Sequence, residues 1–265
     1  MKMTKWFTPV AAVAVALSTL ASCSKDEVKV QDQVSEETLG QIRAMGLTAT
    51  GAQKVDGGYL VEGDIFLTDA DLQHPTAPQL LRVGNAEQYR TTNLVKGLPR
   101  TITVSISSQL PSTYVAGLDE AIRRYNAENL TLKFARVSGG ADIAIVRGTG
   151  SYLASAGFPT SAGDPHNSVK VNSRAIGNNP AVGYLATILA HEIGHCIGFR
   201  HTDYMDRSYS CGGSTANEGA STVGAIHIPG TPTTADPGSF MLACIGSGQN
   251  RNFNNNDKTA LNYLY

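Results

Sequence analysis

His191-Glu192-Ile193-Gly194-His195-Cys196-Ile197-Gly198-Phe199-Arg200-His201 is the stretch from which the other residues of this 265-residue chain are best read. His191 and His195 stand four apart, so on a helix they project from one face about one turn from each other. Two imidazoles so placed can bite one ion. Upstream, Asn179-Pro180 offers an N-cap and a first-turn proline. Val182, Leu185, Leu189, Ile193 and Cys196 then recur at helical spacing. The pattern predicts a helix to Cys196, its apolar face in the core and the two histidines roughly opposite. Gly198 supplies the stop, because a residue without Cβ can leave the helix by a conformation closed to others. The turn can then return His201 as a third ligand. Three neutral ring nitrogens at about 2.0–2.1 Å leave one tetrahedral corner for water, the mark of a catalytic zinc site. Glu192 follows the first histidine, where a carboxylate reaches that water without ligating the ion. Zinc acidifies such a water and polarises a carbonyl, while Glu192 takes the proton and hands it to a leaving amine.

Outward from this helix the signals are those of an α+β chain. Thr101 to Ser107 alternates as a strand, with Ile102, Val104 and Ile106 on one face. Tyr114 to Glu128 repeats apolar residues at helical spacing, and strands follow at Leu130–Val137, Asp142–Arg147 and Ser168–Ser173. Strand, helix, three strands and a long helix suggest a mixed, twisted sheet with helices stacked on it. Residues 199–250 are too rich in Gly, Ser, Thr, Pro and Asn for regular elements, and a last helix is expected at Asp257–Tyr265 with Asn256 as its cap. Ahead of the sheet, residues 34–47 read as a short helix opened by Ser35, and Tyr59 to Ile65 as a strand. Residues 69–98 lack periodicity and read as a linker or the end of a pro-segment. The domain reading is therefore an export signal at 1–22, a tether at 23–33, a pro-like segment at 34–98 and a catalytic domain at 99–265.

Composition excludes several functions. Lys plus Arg number 21 against 22 Asp plus Glu, so the chain lacks the basic footprint of a nucleic-acid binder. No glycine-rich turn precedes a phosphate-binding helix pattern. With 42% hydrophobic residues the chain can bury a real core.

Lys2 and Lys5 followed by the short apolar run Val10–Leu17 read as an export signal, too brief to span a bilayer. Its end, Leu20-Ala21-Ser22-Cys23, resembles the bacterial lipobox, which implies lipidation of Cys23. Membrane contact would then come through that lipid anchor alone, and the chain is expected as an exported, monomeric lipoprotein of the cell envelope, at the outer membrane, or as a secreted protein. The short run Ser24-Lys25-Asp26-Glu27 resembles acidic surface-export tags. Cys196, Cys211 and Cys244 remain, and export permits a disulfide. Cys211–Cys244 is the favoured pair, both lying in loop-rich sequence while Cys196 sits in a helix; the other pairings stay open.

HEIGHCIGFRH matches the metzincin pattern of zinc-dependent peptidases. Its spelling and the layout of residues 38–265 are similar to the bacterial dual-action HEIGH metallopeptidases. The resemblance implies one Zn2+ held by His191, His195 and His201, with Glu192 as base and a methionine turn at Ser239-Phe240-Met241. It implies a zincin fold with sheet and helices above a cleft and an irregular subdomain below. A protein or peptide substrate would pair with the sheet's edge strand, near Leu153–His166. Val61-Glu62-Gly63-Asp64-Ile65 resembles the astacin pro-segment motif F-x-G-D-I, which implies that Asp64 caps zinc in a latent enzyme. On that reading, deleting residues 24–95 or Asp64→Ala raises activity. The alternative is an Asp in an ordinary turn between strands.

Some positions depart from the pattern. Ala243 stands where astacins carry a tyrosine two residues after the turn methionine, so the oxyanion group is unassigned; Tyr204 is a candidate, more naturally a packed loop residue. Asp142, Asp164 and His166 faintly suggest a structural-ion loop, yet calcium has no motif of its own here. His74 and His227 have no partner spacing. The rival function is a non-catalytic zinc-containing surface lipoprotein that binds protein or glycan. Glu192 argues against it, since a decayed enzyme has no use for its base. A zinc hydrolase of non-peptide bonds is disfavoured by His201 and Met241.

Overall fold

Ile102 and Val104 lie fully buried in one strand of the sheet. In chain order the computed structural model has α1 (Glu36–Ala44), β1 (Gln53–Val55), β2 (Gly58–Val61), β3 (Ile65–Leu67), α2 (Asp69–Gln73), β4 (Tyr89–Arg90), β5 (Arg100–Ile106) and α3 (Thr113–Ala127). There follow β6 (Leu132–Arg136), β7 (Ile143–Arg147), β8 (Ala154–Ala156), β9 (Ser168–Val171), α4 (Ser173–Ile176), α5 (Val182–Cys196), α6 (Ser208–Cys211), β10 (Ile226–His227) and α7 (Asn255–Leu264). The structure describes residues 33–45, 47–73, 88–218 and 224–265. The export signal, Cys23, nearly all of the tether and His74 lie outside them.

Eight strands form one mixed sheet in the order β1-β2-β3-β8-β9-β7-β5-β6. β6, β5, β7 and β9 run parallel, with α3 making the crossover from β5 to β6. β8 turns back against β9, and β3 joins β8 in parallel through Ile65 and Ala156. The amide of Ala156 donates to the carbonyl of Asp64 at 2.9 Å. Helices α3 and α5 pack together and against the sheet, burying Leu118, Tyr125, Leu185 and Leu189 with Ile102, Phe134, Ile143 and Val169. Each such side chain contributes about 1.5–3 kcal/mol by leaving water. The front segment has its own smaller core, built from Ile42, Leu47, Val61, Ile65 and Leu67.

Several expectations need correction. α5 starts at Val182, not at Pro180; its N-cap, Ala181, makes no side-chain cap bond, and Val182 is 42% exposed. From Tyr184 to Cys196 the helix is buried all round, because it lies between the sheet layer and the loop bearing Met241. α7 is capped by Asn254 instead of Asn256, and Asp257 completes a reciprocal capping box. The strand expected over Tyr59–Ile65 is broken by a turn at Glu62-Gly63-Asp64 into β2 and β3. The strand within Leu153–His166 is β8, and it is not an edge: β3 occupies that side.

The stretch read as a linker is partly built in. Gln88 is fully buried and donates from Nε2 to Asp257 (2.5 Å) and Ser239 (3.2 Å). The amide of Arg200 donates to Tyr89 O, and that of Thr91 to Gly198 O. A deletion through residue 95 therefore removes part of the support of the histidine helix, so it is a poor test of latency.

Candidate metal centre and active site

Glycines let the loops close on α5. Gly198 leaves the helix at φ +110°, and a Cβ there would stand 2.9 Å from Asn93 O, so the stop anticipated from the sequence is enforced sterically as well. Gly194, one turn back, faces Met241: a Cβ would come within 2.6 Å of its sulfur. The fourth letter of HEIGH is therefore the space into which the methionine turn packs. Asp257 holds that turn, accepting from Ser239 Oγ (2.9 Å) and the Phe240 amide (3.2 Å). Burial pushes the Asp257 carboxyl up to about 6, partly offset by these donors.

The three histidines converge. His195 Nε2 lies 3.0 Å from His191 Nε2 and 3.2 Å from His201 Nε2. Each ring is oriented by its other nitrogen. His191 Nδ1 donates to Phe240 O at 2.9 Å, and His195 Nδ1 to Phe199 O at 2.9 Å. His201 Nδ1 donates to the Glu218 carboxylate, at 2.9 and 3.1 Å from its two oxygens. All three Nε2 atoms are thereby directed to one point. Asp64 completes the group: its Oδ2 is 3.1 Å from His201 Nε2 and 3.5 Å from His191 Nε2. Asp64, His191, His195 and His201 are all buried and can share one ion.

These residues fit zinc. Ligands at about 2.0–2.1 Å from a tetrahedral ion lie about 3.3 Å from one another, and the four observed spacings, 3.0 to 3.5 Å, bracket that value. Oδ1 of Asp64 and Oε2 of Glu192 are buried with no hydrogen-bond partner, and such orphaned oxygens call for a group to satisfy them. Burial, reinforced by the two other imidazoles, holds His195 well below the usual range and so neutral, the form a metal takes. Burial pulls His201 the same way, but Asp64 and Glu218 outweigh it and hold that ring well above its ordinary range. Burial likewise pushes Asp64 up, yet His201 and His191 win and keep it well below. The Asp64 carboxylate thus depends on positive charge at the Nε2 cluster. An ion held there supplies that charge.

Glu192 is 3% exposed. Burial, and then Asp64, push its carboxyl well above the ordinary range, with His201 opposing. It lines a cleft with His191, Asp64, Leu153, Ile188 and Leu242. Zinc, when bound, would supply Lewis-acid polarisation and an acidified water; the Glu192 carboxyl stands in the same cleft as the cluster.

Other candidates stay apart from this centre. Tyr204 packs edge-on against Tyr89, with ring centroids 4.4 Å apart, in keeping with a packed residue. Asp142 accepts from Thr103 N and Oγ1 and pairs with Arg100, which Asp164 shares; His166 sits over Gly157, and these three do not gather. His227 Nε2 lies 3.0 Å from Thr231 Oγ1. Cys211 and Cys244 form a disulfide, and Cys196 is free and buried.

Sequence reasoning missed the charged side chains behind His201. Glu62, Arg200 and Glu218 are each 1% exposed at the side chain. Arg200 Nη2 lies 3.1 Å from Glu62 and 3.6 Å from Glu218, and Arg207 Nε lies 3.0 Å from Glu218. Glu62 also accepts from the Thr48 amide at 2.9 Å and holds a left-handed backbone, φ +53°. Position gave one hint: Glu62 and Arg200 lie inside the two motifs, close before Asp64 and His201. Nothing in the spacing points to Glu218.

The sequence matches the dual-action HEIGH metallo-peptidase family over residues 60–265. None of the curated proteins matches it. Among solved structures, it is similar to two of myroilysin. One is 17% identical, covering 43% of this chain and 54% of that one at a TM-score of 0.34. The other is 14% identical, covering 63% and 83% at 0.39. High choriolytic enzyme 1, a hatching enzyme zinc-protease from the medaka fish Oryzias latipes, is 16% identical, covering 62% and 88% at 0.34. The chain thus spans about half the length of the first of these structures. Matched over most of its length by one family, and with a histidine cluster that fits the ion, the chain belongs to the dual-action HEIGH metallo-peptidase family.

Proposed function

We propose that this chain is a zinc-dependent endopeptidase produced in latent form, with His191, His195 and His201 as the protein ligands of the active ion and Glu192 as general base. The observation that carries the proposal is the position of Asp64, whose Oδ2 stands 3.1 Å from His201 Nε2. An anionic oxygen there takes the corner that catalysis needs for water. The same turn blocks the cleft a second way. Asp64 O accepts from the Ala156 amide, a main-chain donor of the kind that pairs with a bound peptide in β-augmentation. Front segment and substrate then compete for one strand edge. With the segment gone, the edge aligns a peptide backbone, and Leu153, Ile188 and Leu242 receive an apolar side chain beside Glu192. Glu192 draws the proton from the attacking water and returns it to the leaving amine. Met241 supports the site from below, packed against Gly194.

Casein cleavage by the zinc-loaded Asp64→Ala chain tests the reading. Treatment with a chelator is expected to abolish cleavage, and added Zn2+ to restore it. Cleavage that persists after the metal is stripped would refute the metal's part; no cleavage by a chain with tightly bound zinc would favour the binding-protein alternative.

The same proposal places the protein in the cell envelope, exported and lipidated at Cys23. Support comes from the amino-terminal pattern and from the Cys211–Cys244 disulfide, which suits an oxidising compartment. Fatty-acid labelling in a bacterial host should mark the wild-type chain and not Cys23→Ala; equal labelling of the two sinks the assignment.

A further inference from the structure

We propose that Glu218 is a positioning residue for His201, fixing the tautomer and angle with which this ring meets the metal. The inference rests on the ligand set proposed above. It starts from an asymmetry among the three histidines. His191 and His195 stand on α5 and donate from Nδ1 to main-chain carbonyls. Helix and carbonyl together fix those rings. His201 lies beyond Gly198 in irregular chain, and its Nδ1 meets a carboxylate instead. The backbone on either side is pinned, Arg200 N to Tyr89 O and Thr202 N to Met241 O. Those bonds set the Cα position but leave the ring free to turn about its side-chain bonds. Glu218 removes that freedom. Both its oxygens lie within 3.1 Å of Nδ1, so a proton is held on that nitrogen and Nε2 is the atom turned to a bound ion.

A carboxylate this buried needs compensation, and the surroundings supply it. Arg207 Nε is 3.0 Å from Oε1 and Arg200 Nη2 is 3.6 Å from Oε2. The loop carrying Glu218 is fastened to the segment after His201. Glu218 N donates to Tyr204 O at 2.7 Å, and Arg207 N to Ala216 O at 2.8 Å. Carboxylate, arginines and imidazole therefore form one ion-paired cluster. Compared with a carbonyl, a full negative charge behind the ring makes it a stronger electron donor to a cation. The loop-borne ligand thus gains from charge what the helical pair gains from its scaffold.

Zn2+ affinity of the full-length chain, measured by competition with a chromophoric chelator, tests this alongside the visible spectrum of the Co2+-loaded protein. Glu218→Ala is expected to weaken zinc binding about 10–100-fold and to shift the cobalt bands. Glu218→Gln keeps the size and one acceptor but loses the charge; it should fall between wild type and Ala, with the metal-free melting temperature little changed. This second variant carries the test if the alanine chain misfolds. Wild-type zinc affinity and cobalt bands in Glu218→Gln, with or without a lower metal-free melting temperature, would mean that Glu218 serves the fold alone and overturn the proposal. His201→Ala separates the two readings. If it binds zinc as tightly as wild type, the ligand set itself is wrong; if it loses zinc while the Glu218 variants keep it, only the role of Glu218 falls.

Discussion

Peptide hydrolysis by the Asp64→Ala chain is expected to fall about 10²–10⁴-fold when Glu192 is also replaced by Gln, the usual range for loss of a positioned acid–base group. The amide has the size and shape of the carboxylate, so the cleft keeps its form, but it cannot take a proton from water. Because Glu192 is outside the metal-binding group, zinc affinity should stay near that of the parent chain. The fold should tolerate the change well. Glu192 is buried with an unpartnered oxygen, and burial with Asp64 already disfavours its charged form, so a neutral side chain relieves more than it disrupts. Steady-state kinetics on a quenched fluorescent peptide, beside zinc titration, read both effects. Retained kcat would assign the base elsewhere, and lost zinc would make Glu192 a ligand.

Asp64→Ala should move activity the other way. If the turn closes the site in 99 molecules of 100, removing its carboxylate raises the peptidase rate of the intact chain by up to about a hundredfold. The gain stops short of full release because β3 still lies on β8 and Glu62 still pairs with Arg200. Adding Glu62→Ala should therefore raise activity further, chiefly through KM, as the rest of the turn loosens. Asp64→Asn should fall between wild type and Asp64→Ala, since an amide oxygen still reaches toward an ion but without charge. The comparison is made on purified uncleaved protein, with electrophoresis excluding proteolysis. Equal rates for wild type and both Asp64 variants would leave Asp64 as a turn residue and end the latency reading.

How far the sequence discloses this structure depends on the range of the forces that fix each part. The periodic strands around Ile102 and Ile143 and the helix over His191 were readable, because each repeats a burial pattern within a few residues. The start of α5 was misplaced because Asn179-Pro180 looks like a start, while helix contacts begin to be buried only at Tyr184. At α7 the run Asn254-Asn255-Asn256 offers three caps, and Asp257 settles the choice: only from Asn254 does it stand at the third helical position. β8, Ala154-Ser155-Ala156, carries no alternation of large and small residues, and only its neighbours make it a strand. The same holds for Gln88, whose burial depends on Asp257, 169 residues away. Within the metal centre, the histidines and the glutamate announced themselves by spacing. Glu218 did not, since its proximity to His201 comes from a loop returning along Tyr204–Arg207.

Because β3 lies alongside β8, uncovering the histidines also strips a neighbour from a strand only three residues long. On the latency proposed above, nicking the polypeptide is then insufficient: the severed piece has to depart, or it stays as a tightly seated inhibitor. Once it departs, the Ala156 amide is left bare until a peptide settles on it. In that proposal, release of the segment and readiness for substrate are the same physical event.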